Sequence, residues 1–133
     1  MPKIEIHHPG TTVSTGAYSA AVAIDGWLYV SGQGSLDKQT GRPVPGTIEE
    51  ETRLTLTHIG ALLQAGDCTF DDVVKCTCHL ADIGDFDRFD GVYRGFFRGV
   101  LPARTTVQSV LGGGIKVEID AIAYRQGCRP GSA

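Results

Sequence analysis

Two short segments near the C-terminal end hold the side chains best suited to chemistry: Arg104-Thr105-Thr106-Val107-Gln108, and Lys116-Val117-Glu118-Ile119-Asp120-Ala121. Both read as strands. Arg104, Thr106 and Gln108 therefore share one face of the first, and Glu118 and Asp120 share one face of the second. Paired as a hairpin with even-numbered residues opposite one another, they bring a guanidinium beside a carboxylate. A guanidinium is a planar fork of donors that matches an anionic carboxylate, and a neighbouring Glu can hold and deprotonate a water. The same residues would equally serve as a structural ion pair, which sheet faces carry at little gain or cost.

Other candidates are weaker alone. Tyr18 opens one apolar run, and Ser31-Gly32-Gln33 closes another, where small residues let a ligand approach backbone N–H groups. Taken singly, Tyr18 is also a half-buried packing residue and Ser-Gly a turn. His7, His8, His58 and His79 show no nucleophile or metal spacing and read as surface or structural residues. The cysteines at 68, 76, 78 and 128 could form two disulfides, or Cys76, Cys78 and His79 could begin a metal site. The second ligand pair of a structural zinc site is missing, and in a strand Cys76 and Cys78 simply share an apolar face. No Gly-Lys-Ser/Thr phosphate loop, Gly-x-Ser-x-Gly elbow or dinucleotide fingerprint is present.

The elements that must position these residues follow from pattern. Residues 3–7 are extended. Apolar runs at 18–24 and 27–31 flank Asp25-Gly26, the composition of a type I′ hairpin turn. Residues 33–46 lack an apolar periodicity and read as a loop. Thr47 and Glu50 form a capping box ahead of Leu56, Ile59, Leu62 and Leu63, spaced as a helical stripe that Gly66 ends. Residues 73–80 form a strand with Val74, Cys76, Cys78 and Leu80 on one face. Asp85 begins a second helix whose Phe86, Phe89, Tyr93 and Phe96 are best read as core, with Pro102 marking its exit. Gly112-Gly113-Gly114 permits the reversal between the last two strands. The expected fold class is α+β: a mixed sheet with two helices of similar length on one face, in the order strand, hairpin, helix, strand, helix, hairpin. The other sheet face would be covered by oligomerisation.

With 133 residues, the chain is expected to be one domain, 1–133, with an N-terminal strand and loop over 1–15 and a tail over 126–133. It shows no signal peptide and no apolar run of about 20 residues, so a cytoplasmic location away from membranes is expected. The net charge of −3 and the scattering of the twelve Lys and Arg argue against a nucleic-acid partner.

Several segments together resemble the reactive intermediate deaminase (Rid, YjgF-like) family: Gly16-Ala17-Tyr18-Ser19, Val30-Ser31-Gly32-Gln33, Val73-Val74-Lys75, Asp85-Phe86, Val92-Tyr93-Arg94-Gly95-Phe96-Phe97, Pro102-Ala103-Arg104, and Val117-Glu118-Ile119-Asp120-Ala121-Ile122-Ala123. Their order and spacing carry the match. The resemblance implies a chorismate-mutase-like fold in a homotrimer, with sites in the clefts between subunits. It implies that Arg104 grips a substrate carboxylate, that Glu118 positions the attacking water, and that Tyr18, Ser31 and Gly32 line the pocket. The reaction implied is hydrolysis of imines or enamines of small carboxylic acids to 2-keto acids and ammonium, with no cofactor. Thr106 stands where many relatives have Cys, so a thiol role is excluded, although its backbone N–H could contact the carboxylate. Asp90 stands where well-known members have Asn, and must pair or point away if it lies near an anionic substrate. The Gly-rich turn looks one residue short, a slip that a bulge could absorb. Two other activities compete: a trimer that binds small carboxylates without turnover, and a single-stranded RNA endoribonuclease.

Overall fold

A computed structural model describes residues 2–126, so Cys128 and all but Gln126 of the expected tail lie outside it. Six strands, β1 (Ile4–Ile6), β2 (Ala21–Ile24), β3 (Trp27–Gly34), β4 (Val73–Leu80), β5 (Ala103–Gln108) and β6 (Val117–Tyr124), form one sheet with two helices, α1 (Ile48–Ala65) and α2 (Phe86–Arg94). The strand order is β1-β2-β3-β6-β4-β5, and only the β4–β5 pair is parallel.

Local sequence explains most of this. Asp25 and Gly26 take φ of 50° and 86°, both in the left-handed region that a I′ turn demands. Thr47 and Glu50 close a reciprocal capping box on α1, and the Gly66 N–H returns to the carbonyls at the helix end. Leu56, Ile59, Leu62 and Leu63 of α1 and Phe89 of α2 are fully buried with Leu28, Cys76, Cys78, Leu80, Val117 and Ile119 of the sheet. Both helices lie on one face. The other face has no helix on it.

The helices are unequal, 18 and 9 residues long. α2 stops at Arg94 because the chain tightens through Gly95 into i→i+3 turns, with the N–H groups of Phe96 and Phe97 bonded to the carbonyls of Tyr93 and Arg94. Phe96 and Phe97 then pack on Phe70, beyond the helix.

The expected C-terminal hairpin does not form. β4, α2 and β5 make a crossover unit, which returns β5 parallel to β4 at the sheet edge. The connection to β6 passes over the end of β4, pinned on one side by Ser109 N–H to the Leu80 carbonyl (2.9 Å) and on the other by Ala81 N–H to the Lys116 carbonyl (2.9 Å). β6 thereby inserts between β3 and β4, antiparallel to both. A second correction concerns the start of β4. The expected alternation holds from Cys76 onward, but Val73 is buried and Val74 exposed, because the register shifts between Val73 and Lys75.

Candidate functional site

Arg104 and Glu118 end on opposite faces of the sheet. Arg104 is aligned with Cys76 of β4, which lies in the core beneath the helices, whereas Glu118 is aligned with His79, one of the β4 residues on the open face. The parallel β4–β5 pairing and the central position of β6 defeat the even-to-even hairpin register.

On the helix side, Arg104 lies against the aromatic stripe of α2, its guanidinium carbon 4.7 Å from the ring centre of Tyr93, 5.3 Å from Phe86 and 5.7 Å from Phe89. Such contacts contribute roughly 1 kcal/mol each when partly desolvated. The stripe is core, as its spacing indicates, and also a bed for the cation. Arg104 Nη1 donates to Asp90 Oδ1 at 2.7 Å, and Arg94 Nη2 reaches Asp90 Oδ2 at 3.3 Å. Asp90 therefore pairs. Its carboxyl is held below the usual carboxylate range, chiefly by the Arg104 hydrogen bond. A guanidinium has five N–H donors, so the others remain for a second carboxylate. Thr106, two residues on and facing the same way, has a buried hydroxyl with no hydrogen-bond partner. An unsatisfied buried hydroxyl costs free energy that a bound polar group would recover.

On the open side, Tyr18, Tyr29, Ser31, Gly32, Glu118 and Asp120 line a groove of about 570 Å³ together with Val30, Ala121 and Ile122. Four of the sequence candidates, Tyr18, Ser31, Gly32 and Glu118, meet here. The β3–β6 register shifts between Val30 and Gln33, so Ser31 and Gly32 form the irregular step of a bulge. A β-carbon on Gly32 would lie 2.7 Å from Oε2 of Glu118. The glycine is thus the space that the carboxylate occupies. Ser31 is spoken for: its N–H bonds the Ala20 carbonyl at 2.9 Å and its hydroxyl the Ser19 carbonyl at 2.6 Å, so it fixes the wall rather than offering donors. The Tyr18 ring is exposed and its hydroxyl bonds to Thr15. Tyr29 and Ile122, aligned across β3 and β6, were missed as lining residues. Their signal was available: an aromatic run, Trp27 and Tyr29, on the outward face of a strand.

The histidines are not all passive surface. Gly10 N–H donates to His8 Nδ1 (3.0 Å), His8 Nε2 meets His58 Nδ1 (3.1 Å), and His58 Nε2 meets the Leu36 carbonyl (2.8 Å). A carbonyl only accepts, so His58 carries its proton on Nε2 and His8 on Nε2, and both rings are neutral. Burial lowers both pKa values, that of His8 to about 4. Cys76 and Cys78 are buried, with burial pushing both thiols up, Cys78 to about 12. Among the described residues no cluster of three or more His, Cys, Asp or Glu could hold a metal ion, and no helix is long and apolar enough to cross a membrane.

Comparison with known proteins adds a family. Residues 10–125 match the model described as endoribonuclease L-PSP. The rat protein named 2-iminobutanoate/2-iminopropanoate deaminase is 46% identical over 111 residues, covering 83% of this chain and 81% of its own. Protein DfrA of Myxococcus xanthus is 41% identical over 126 residues, covering 92% and 96%. Among solved structures, YyfA of Yersinia pestis, described as of the Rid family, superposes with a TM-score of 0.87 at 35% identity, covering 93% and 100%. E. coli TdcF with bound serine does so at 0.85 and 30% identity, covering 92% and 99%.

Proposed function

The chain belongs to the endoribonuclease L-PSP family, which takes in the Rid proteins, and on that premise we propose that it hydrolyses reactive imines of small carboxylic acids to 2-keto acids and ammonium. The observation that carries the reading is the pairing of two half-sites. An open groove presents a carboxylate, Glu118, against glycine backbone, and a separate aromatic bed presents a guanidinium with spare donors, Arg104. The activity named for the rat relative supports the same chemistry.

Because Arg104 and Glu118 point to opposite faces, one chain does not bring both to one substrate. A second copy does, if its β5 edge and α2 close over the open face of the first. The open face and the unpaired edge of β5 favour such packing, and a closed ring of three gives every copy the same contacts. Three composite sites result, each with Arg104 from one subunit and Tyr18, Ser31, Gly32 and Glu118 from its neighbour.

In such a site Arg104 takes the substrate carboxylate through its free edge, with the Thr106 hydroxyl beside it, while Asp90 fixes the guanidinium from its other side. This anchors the C=N carbon near Glu118. Glu118 accepts a proton from water as the water oxygen bonds to that carbon and the π electrons move to nitrogen. Protonated Glu118 gives that proton to the nitrogen, forming the carbinolamine. Glu118 then passes the carbinolamine's hydroxyl proton to the nitrogen as C=O re-forms and the C–N bond breaks, and the ammonia released picks up a proton from water to become ammonium. Water is consumed and no electron is gained or lost, so no redox cofactor enters the reaction. Tyr18 and Tyr29 would flank the substrate's side chain. Small 2-iminoacids such as 2-iminopropanoate, generated in place by a dehydratase, are the test substrates, with ammonium and keto-acid release faster than the uncatalysed rate expected. Rates equal to buffer alone would leave the groove as a binding site only.

A further inference from the structure

A second hollow lies on the other side of Tyr18. It encloses about 290 Å³ between the N-terminal segment, the end of β3 and the loop after it, with Tyr18, Gln33, His8, Leu36 and Lys38 in its wall. Lys38 sets its chemistry. Its ammonium is half-buried and donates to Gln33 Oε1 at 2.6 Å. That is the one side-chain hydrogen bond of Lys38 among the described residues, and no carboxylate there lies within 4.0 Å of its nitrogen.

Three N–H donors with one acceptor leave two unanswered, and a cation removed from water without a counter-ion is costly. Two acidic residues also line the hollow but do not answer Lys38. Asp37 accepts the N–H groups of Gln39 (2.8 Å) and Thr40 (3.1 Å), and Glu5 faces His7 at 3.8 Å. His8 is neutral and committed on both ring nitrogens. The rest of the wall mixes the polar side chains of Thr11, Thr12, Ser14 and Thr15 with apolar surface from Val13, Ala20, Leu36 and the Tyr18 ring. A cation with no carboxylate of the described residues within 4.0 Å, in a wall of hydroxyls and apolar surface, suits a single negative charge on a small, partly apolar body.

We propose that this hollow is a second binding site, for a small monocarboxylate, and that its occupant is felt in the reaction groove through Gln33. Gln33 is buried, and its Nε2 donates to the Ser31 carbonyl at 3.0 Å, at the bulge against which Glu118 rests. A carboxylate on Lys38 shares the ammonium with Gln33 Oε1, loosens that bond and shifts the Ser31-Gly32 step. Binding at the hollow is independent of the deaminase reading; the effect on turnover rests on it.

The experiment uses the full chain carrying Arg104→Ala, which removes the other carboxylate anchor, and follows backbone and Gln side-chain amides by NMR during titration with benzoate, with benzamide as neutral control. Expected are saturable shifts at Lys38, Tyr18 and the Gln33 side-chain amide with benzoate and none with benzamide. Adding Lys38→Met weakens the benzoate response roughly tenfold or more, the loss of one charge-assisted contact, while Lys38→Arg keeps part of it. Equal shifts with benzamide, no saturable shift, or a response indifferent to Lys38→Met would overturn the proposal. The benzoate and benzamide comparison stands even if Lys38→Met does not fold. Wild-type chain inert to imines, with the shifts still seen in Arg104→Ala, defeats only the deaminase reading, and active wild type with no shifts in Arg104→Ala defeats only this one.

Discussion

The β-carbon that Gly32 lacks would sit 2.7 Å from the Glu118 carboxylate, so the groove's acid and the bulge beside it are built to fit one another. Gly32→Ala must displace Glu118, Gly32 or both. The variant should fold with an unchanged melting temperature to within a few degrees and lose at least roughly tenfold in imine hydrolysis, since misplacing a reacting group by about 1 Å can cost on the order of a hundredfold. Full activity in Gly32→Ala would remove Glu118 from the mechanism.

Asp90 shares Arg104 with any substrate carboxylate. Asp90→Asn keeps a hydrogen-bond acceptor and removes a negative charge, and should bind 2-oxobutanoate several-fold more tightly than wild type. Asp90→Ala frees the guanidinium to rotate and should bind it more weakly than Asp90→Asn, because positioning is lost with the charge. Isothermal titration of the three proteins decides this, and an Asn variant weaker than wild type contradicts it.

Most of the fold was legible because local signals agreed: the Asp25-Gly26 turn, the Thr47–Glu50 box and the stripe from Leu56 to Leu63 each act within a few residues. Strand pairing was not legible. Whether the strand at 117–124 pairs with its neighbour in sequence or slides between β3 and β4 is decided by the crossover through α2 and by Ser109 and Ala81 bonding across the end of β4. That long-range choice separated Arg104 from Glu118. The alternation itself correctly grouped Arg104 with Thr106 and Glu118 with Asp120, but could not say which face of the sheet each pair occupies. The bulge at Ser31-Gly32 and the buried Glu51 lay equally beyond periodicity, since a charged residue in a helix's first turn normally reads as a solvated one.

Glu51 is 1% exposed and accepts the Lys116 N–H at 2.8 Å, the Lys116 ammonium at 3.2 Å and the Gly46 N–H at 3.2 Å. It ties α1 to the start of β6 and so to Glu118. Glu51→Ala leaves two backbone donors unpaired and should cost about 3–5 kcal/mol in urea unfolding. A cost under about 1 kcal/mol would mean that the clasp is replaceable by water.

The neutral His8–His58 pair makes stability fall in mild acid. Both folded-state pKa values are lowered, that of His8 from 6.5 to about 4, so the unfolded chain binds more protons between these values. The pair's contribution is fully present above about pH 6.5 and is lost as pH falls toward about 4. Urea unfolding at pH 7.5 and pH 4.5 should show a drop on the order of 2 kcal/mol in wild type beyond that of His8→Gln. Parallel pH profiles for the two proteins would contradict the neutral-pair assignment.

The central claim is that Arg104 and Glu118, on opposite sheet faces in one chain, meet only across a subunit boundary. Co-expressing Arg104→Ala and Glu118→Gln chains with different tags, and assaying the doubly purified assemblies for ammonium release from 2-iminopropanoate, tests it directly. Each variant alone should be inactive. Double purification leaves only rings that contain both chains, and in a ring of three each has a single interface where an intact Arg104 meets an intact Glu118, so about a third of wild-type activity should return. Mixed assemblies as inactive as their parents would place both residues in one chain's site and contradict the account.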